Sequence, residues 1–159
     1  MTYLLRLAYL LMRAWSWLVR PIGLGVRMIL MQGDEVVLVR HTYMPGWHFP
    51  GGYINRWETP LEGAAREARE EAGAELLEPP QFLGILTSYG GGKSDHVAVY
   101  VCRSFKLGEP TDRYEIAERK LFALDALPPE LGRAARKLLW DLQLKGDKTA
   151  ISRSTASDI

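Results

Sequence analysis

The chain has 159 residues, of which 47% are hydrophobic and 25% charged, and its formal net charge is +1. This composition supports one folded domain with a hydrophobic core and excludes a chain that is disordered throughout. The near-neutral charge argues against a dedicated nucleic-acid binder, so no DNA partner is expected. The single cysteine, Cys102, excludes an internal disulfide and favours a reducing compartment such as the cytoplasm.

Charge is distributed unevenly along the chain. Residues 1–33 contain four arginines and no acidic residue, whereas residues 34–130 contain 10 basic and 16 acidic residues. The remaining residues carry six basic and three acidic side chains. An acidic middle between basic ends suggests that the middle binds cations and that the ends contact something else.

Residues 1–20 are predicted to form an amphipathic basic helix. At 100° per residue its polar residues fall on one stripe, which consists of Thr2, Arg6, Tyr9, Arg13, Ser16 and Arg20. Three arginines disfavour a membrane-spanning helix, because charges inside a bilayer are costly. Two interpretations stay open. The helix packs on its own domain or on a second subunit, as in a homodimer, or it lies peripherally on an anionic membrane with Trp15 and Trp17 at the headgroups.

The rest of the chain alternates between strand and helix patterns. Pro21 ends the first helix, because the residue before a proline avoids helical angles. Strands are predicted at 22–32, 35–41, 81–88, 95–105 and 119–124, with a tight turn at Gly33-Asp34, and helices at 60–72 and from Leu131 to Leu142. This order predicts a layered α/β domain over 21–145. The tail 146–159 has few large apolar residues and is expected to be disordered.

The helix at 60–72 carries an unusual cluster of acids. Thr59, Pro60 and Glu62 predict a capping box at its start, and Gly73 predicts a left-handed residue at its end. Three carboxylates share one face of its last two turns: Glu67, Glu70 and Glu71. A solvated helix stabilised by ion pairs explains such a cluster poorly, since like charges at these spacings repel and the helix dipole disfavours anions there. A divalent cation reverses both effects, and oxygen ligands suit Mg²⁺ or Mn²⁺.

This segment resembles a known motif. From Gly52 the sequence reads Gly52-x5-Glu58-x7-Arg66-Glu67-Ala68-x-Glu70-Glu71-x-Gly73-Ala74, which is similar to the Nudix box in every fixed position and spacing. With the Trp-x-x-Pro-Gly-Gly segment at 47–52 and the flanking strands, the resemblance covers about 21–145. It implies a Nudix-like α/β/α sandwich with a mixed sheet.

The resemblance also implies an activity. A Nudix hydrolase uses Mg²⁺, or Mn²⁺, to cleave a nucleoside diphosphate linked to another group. The substrates implied are a nucleotide sugar, a dinucleoside polyphosphate or a nucleoside triphosphate, and RNA is the least favoured substrate because no aromatic and basic surface stands out.

Residue roles follow from the matching positions. Glu70 and Glu71 are implied to be the main metal ligands together with the Gly51 carbonyl, and Glu67 a further ligand or the residue that accepts the proton of water. Arg66 is implied to orient a box carboxylate, and Glu58 to be structural or an outer partner. Gly51 and Gly52 let the backbone approach the metal and the phosphates.

Residues outside the box complete the predicted site. One more acid often comes from a loop, and Glu115 is the first candidate and Glu118 the second, with a solvated loop as the alternative. Trp47 is a candidate for stacking on a base, although a core position is equally consistent with its sequence context. Arg40 and Lys93 are candidates for holding phosphate or ribose, although isolated basic residues are often simply solvated.

Two other functions remain open from the sequence. A membrane-associated enzyme would act on a prenyl or lipid diphosphate and would use residues 1–20 to reach it. A nucleotide-sensing module would bind without cleaving. The presence of Glu67, Glu70 and Glu71 argues against the sensing module, since such modules tend to lose box carboxylates.

Overall fold

The computed structural model describes residues 2–19, 22–90, 93–112 and 114–144. In chain order the elements are α1 (Thr2–Val19), β1 (Ile22–Gln32), β2 (Glu35–His41), β3 (Trp47–His48), α2 (Pro60–Ala72), β4 (Ala74–Leu76), β5 (Gln81–Gly90), β6 (Lys93–Cys102), β7 (Phe105–Leu107), β8 (Ile116–Ala123) and α3 (Arg133–Leu144). None of the described helices is both long enough and apolar enough to cross a membrane.

A mixed sheet forms the centre of the domain. Its strands follow the order β3-β2-β1-β6-β5, and β8 also pairs with β2. β1 and β6 run parallel, whereas the other pairs are antiparallel. β4 and β7 form a separate antiparallel pair. The β1–β2 turn uses Gly33 at φ 59°, a left-handed conformation that glycine adopts without steric cost.

The core lies on both faces of this sheet. Alternating residues of β1 divide between the two faces, as the period of a strand requires. Val26 and Met28 pack towards α2 and its alanines, whereas Ile29 packs in a second cluster with Leu138 of α3. The predicted α/β/α sandwich with a mixed sheet is therefore confirmed.

Most predicted elements are present, with changes at the edges. β1, β2 and α2 have the predicted bounds. The predicted strand 95–105 corresponds to β6, which begins at Lys93 and ends at Cys102, and a separate strand, β7, begins at Phe105. β3, β4 and β7 were not predicted, since two or three residues are too few to show a period. Residues 146–159, the predicted disordered tail, lie outside the described residues.

Candidate active site

Both ends of α2 are closed by capping residues. Thr59 caps the helix, accepting a hydrogen bond from the Glu62 N–H at 3.3 Å, and the Glu62 carboxylate accepts one from the Thr59 N–H at 2.8 Å. At the other end Gly73 has φ 63° and donates its N–H to the Arg69 carbonyl. Both predicted caps are therefore observed, and they fix where the helix that carries the acids begins and ends.

Two of the three clustered carboxylates are buried against a glycine loop. Glu67 and Glu71 are 9% and 5% exposed, and the Gly51 N–H donates to Glu71 Oε2 at 2.8 Å. A Cβ on Gly52 would lie 2.6 Å from Glu67 Oε1. The side chain of Glu70 is more exposed, at 37%. The loop therefore lies directly over Glu67 and Glu71.

The glycine loop is held by the edge of β1. The Val26 N–H donates to the Gly52 carbonyl at 2.9 Å, and the Met28 N–H donates to the Pro50 carbonyl at 2.9 Å. Gly51 between them has φ 146°, and a Cβ there would collide with the Val26 carbonyl. A residue with a side chain does not fit at Gly51, so the loop can approach α2 this closely only because glycine is there.

Arg66 links the acids of the box to one another. Its Nε and Nη2 donate to both oxygens of Glu58 at 2.8 and 3.0 Å, a bidentate grip. Its Nη1 donates to Glu67 at 2.8 Å and to Glu70 at 3.0 Å. Arg66 thus contacts three carboxylates of the box, those of Glu58, Glu67 and Glu70.

Burial changes the protonation of these groups. Loss of water around Glu71, together with the nearby charge of Glu67, raises the pKa of Glu71 to about 8, although the Gly51 hydrogen bond opposes the change. Burial also raises the pKa of Glu67, although hydrogen bonds from Arg66 oppose the change. The Arg66 hydrogen bonds lower the pKa of Glu58. Arg66 and Arg27 therefore compensate only part of the negative charge that Glu67 and Glu71 carry when ionised.

The donor set fits a hard divalent cation. Carboxylate oxygens are the ligands that Mg²⁺ and Mn²⁺ prefer, and a dication would compensate the buried charges of Glu67 and Glu71. In the part of the chain that the structure describes, no three carboxylate, imidazole or thiolate side chains converge on one point. The observed site is therefore a buried carboxylate pair, with Glu70 held beside it by Arg66.

The predicted loop acid Glu115 lies at the edge of this site. The N–H groups of Thr111 and Asp112 donate to the Glu70 carbonyl at 3.0 Å each, which fastens the loop to the last turn of α2. The Tyr43 hydroxyl donates to Glu115 Oε2 at 3.3 Å. The charge of Glu115 also raises the pKa of Glu71. Glu118, the second candidate, is instead paired with Arg40 at 2.7 Å.

Sequence reasoning missed two groups beside Glu71. His41 is buried, and its Nε2 lies 3.7 Å from Glu71 Oε1, while its Nδ1 has no hydrogen-bond partner among the described residues. Burial lowers the His41 pKa to about 4, so the ring is neutral at pH 7. Arg27 on β1 lowers the pKa of Glu67, Glu71 and His41. A lone arginine inside the apolar run of β1 was the available signal.

Two of the three predicted substrate residues, Trp47 and Arg40, lie next to each other. Trp47 is 8% exposed and packs edge-on against Phe122, with ring centroids 4.8 Å apart. This core position corrects the expectation that its ring is open to a base. The Arg40 guanidinium lies over the Trp47 ring at 5.6 Å and is paired with Glu118. Lys93 begins β6, and its side chain lies outside the described part of the chain.

A cavity opens next to His41. Its volume is about 450 Å³, and it is lined by residues 40–46 with Ala117 and Glu130. Arg6 of α1 contributes to its wall. The N-terminal helix therefore borders a cavity that His41 also lines.

The sequence matches one family model and several characterised proteins. A family model described as the NUDIX domain matches residues 21–142. An RNA pyrophosphohydrolase of Xanthomonas campestris is 43% identical over 61 residues, which are 38% of this chain and 29% of that protein. The CMP-5'-(N-acetyl-N-hydroxy-3-aminopropyl)phosphonate hydrolase of Streptomyces rubellomurinus is 30% identical over 118 residues, covering 70% of this chain and 57% of that one.

The fold has a solved counterpart. The MutT NUDIX hydrolase from Burkholderia pseudomallei superposes with a TM-score of 0.68 at 26% identity, over 76% of this chain and 97% of that one. The match in sequence to the RNA pyrophosphohydrolases is shorter, because this chain spans less than a third of the length of those proteins.

Proposed function

This chain belongs to the NUDIX domain family, and on that premise we propose that it is a divalent-metal-dependent hydrolase of diphosphate bonds in nucleotide substrates. One observation carries the proposal. Glu67 and Glu71 are buried side by side under the Gly51–Gly52 loop, at a place where their ionisation is costly without a cation. The cost is difficult to explain in a helix that serves packing alone, since an apolar residue would be more stable there.

In this proposal Glu67, Glu70 and Glu71 hold Mg²⁺ or Mn²⁺ together with the Gly51 carbonyl. When bound, such ions neutralise the negative charge of a diphosphate and make an attacking water more acidic. Arg66 fixes Glu67 and Glu70 in place through its hydrogen bonds. Glu67 also suits the role of proton acceptor, because burial raises its pKa above the ordinary value of a glutamate.

Glu115 is proposed as the additional loop acid. Its carboxylate accepts the Tyr43 hydrogen bond and acts electrostatically on Glu71, so it faces the site. Glu115→Gln keeps the shape and the hydrogen bond and removes the charge. We expect kcat to fall by about tenfold or more. A kcat within about a factor of three of wild type would show that Glu115 has no role in the reaction.

The substrate class is proposed as a nucleotide joined through a diphosphate. Nucleotide sugars, dinucleoside polyphosphates and nucleoside triphosphates are the candidates from the sequence. The names of the Xanthomonas and Streptomyces relatives support a nucleotide and favour keeping RNA among the candidates, although the RNA pyrophosphohydrolases match over only 61 residues.

A second candidate is the hydrolysis of a diphosphate carried on a prenyl or other lipid group. The observation that favours it is the position of Arg6, because α1 borders the cavity beside His41. A cation at that place could contact the anionic part of a substrate whose apolar part extends along α1.

A hydrolysis screen tests the proposal. The panel contains nucleotide sugars, dinucleoside polyphosphates, nucleoside triphosphates, RNA with a 5'-triphosphate and prenyl diphosphates, each with Mg²⁺ or Mn²⁺. Wild type is compared with Glu70→Gln and with the matched control Glu75→Gln, which changes an exposed carboxylate on β4. We expect turnover of one class, lost in Glu70→Gln and kept in Glu75→Gln. Nucleotide binding without turnover across the panel would favour the sensing module instead.

A further inference from the structure

Where its side chains are described, between residues 6 and 15, helix α1 turns its large apolar residues outwards. Tyr9 of the polar stripe is half-buried, with its ring centroid 5.9 Å from that of Tyr43, and Arg6 borders the cavity. An amphipathic helix on a globular domain normally buries its apolar side. Here five large side chains, which we call the apolar face of α1, are each 51–64% exposed: Leu7, Leu10, Leu11, Met12 and Trp15.

These side chains form a continuous surface. Leu7, Leu11 and Trp15 follow one another at intervals of four residues, and Leu10 lies one turn from Leu7, so they neighbour one another along the helix. Leu10 is also four residues from Arg6, which places a cation at the border of the surface. An exposed patch of contiguous apolar side chains marks a site of interaction.

We propose that the apolar face of α1 docks on an anionic lipid bilayer, with the helix lying in the plane of the headgroups. α1 carries two arginines, Arg6 and Arg13, and no acidic residue, and Arg20 follows it directly in the sequence. A cationic helix with Leu and Trp on one side is the form that binds such an interface. Trp15 is exposed on the apolar face, and its ring suits the headgroup region.

Charge favours the bilayer over a second copy of this chain. Two α1 helices that met through their apolar faces would bring together two positively charged helices with no acidic residue on either of them. An anionic surface provides the opposite charge for each of them. The acidic residues 34–130 are repelled by the same surface, so contact is restricted to the basic end of the molecule.

The C-terminal tail is a poor alternative occupant of this surface. Residues 146–159 include only two large apolar residues, Ile151 and Ile159. Two such side chains are too few to cover five exposed ones. Neither a second α1 nor this tail matches the surface as well as a bilayer does.

Vesicle co-sedimentation of the full chain tests the proposal. The probes are phosphatidylcholine vesicles with and without phosphatidylglycerol, at low and high salt. We expect binding to the anionic vesicles, with weaker binding at high salt and to phosphatidylcholine alone. The variant L7Q/L11Q should lower the partition coefficient by about tenfold or more, since two exposed leucines lose their burial in lipid.

The matched control is L61Q/L77Q, which makes the same change at two exposed leucines outside α1. It should bind as wild type does. Both variants should keep the thermal midpoint of wild type, because the substituted side chains are exposed and glutamine is a good helix former. Hydrolysis of a water-soluble substrate should also be unchanged in L7Q/L11Q, which separates this proposal from the proposed function.

Two outcomes would overturn the proposal. One is a sedimentation result: wild type does not sediment with anionic vesicles, or the L7Q/L11Q variant sediments with them to the same extent as wild type. The other is a dimer in light scattering without lipid that L7Q/L11Q dissociates. That result would make a second copy the occupant of the apolar face.

Discussion

Glu71 should make the metal-free protein less stable as the pH rises. Its pKa is about 8 in the folded protein and 4.5 without the fold, because burial disfavours the ionised form. The folded state therefore holds a proton that the unfolded chain releases between these two values. Stability is highest below the unfolded pKa and falls as the pH rises through the folded pKa. Glu71→Gln mimics the protonated form and removes this dependence.

The size of the effect follows from the two pKa values. Between pH 5 and pH 8 the linkage relation gives a loss of about 3 kcal/mol in the free energy of unfolding. For a chain of this length that corresponds to roughly 6–12 °C in the thermal midpoint. The Gly51 N–H can still donate to the amide oxygen of a glutamine, so the hydrogen bond at 2.8 Å is kept.

Thermal unfolding with a chelator present measures the difference between wild type and Glu71→Gln at pH 5 and at pH 8. The free energy of unfolding of the variant minus that of wild type should be about 3 kcal/mol larger at pH 8 than at pH 5. Glu70→Gln, on the more exposed neighbour, is the control and should show no such change. Adding Mg²⁺ at pH 8 should stabilise wild type and so reduce the difference in stability between Glu71→Gln and wild type. A difference that does not depend on pH would refute the reasoning.

Three further substitutions test separate parts of the structure. Gly52→Ala places a Cβ 2.6 Å from Glu67 Oε1 and should lower kcat by about tenfold or more at an unchanged thermal midpoint; an unchanged kcat would count against this contact. Thr59→Ala removes the α2 cap and should lower the free energy of unfolding, measured by urea titration, by about 1 kcal/mol. The activity should be kept. Trp57 is 95% exposed at φ 69°, so Trp57→Gly should raise stability by up to about 1 kcal/mol, and a loss would indicate an unseen contact.

Local signals were sufficient to predict the helix that carries the acids. The capping box at Thr59 and the left-handed Gly73 depend on neighbouring residues only, so both ends of α2 could be located from the sequence. The strand periods of β1 and β2 were equally local. The spacing of the box then placed Glu67 and Glu71 on one face of α2.

Long-range packing decided what the sequence left open. His41 and Arg27 reach Glu71 from two different strands, and no spacing along the chain indicates this approach. Trp47 was a candidate for stacking on a base, yet the edge of Phe122 and the cation of Arg40 enclose it.

The orientation of α1 shows a related limit. Periodicity identifies the apolar side of a helix but not whether the domain covers it. In the structure Tyr9 of the polar stripe faces Tyr43, and Leu11 on the opposite side is 63% exposed.

The most direct test of the account is metal restoration of activity. Protein freed of metal with a chelator is supplied with increasing Mg²⁺, and the initial rate of diphosphate hydrolysis is measured for wild type, Glu70→Gln and Glu75→Gln. We expect no turnover before Mg²⁺ is added, saturable recovery in wild type and Glu75→Gln, and little recovery in Glu70→Gln. Full activity without a divalent ion, or recovery in Glu70→Gln equal to that of wild type, would contradict it.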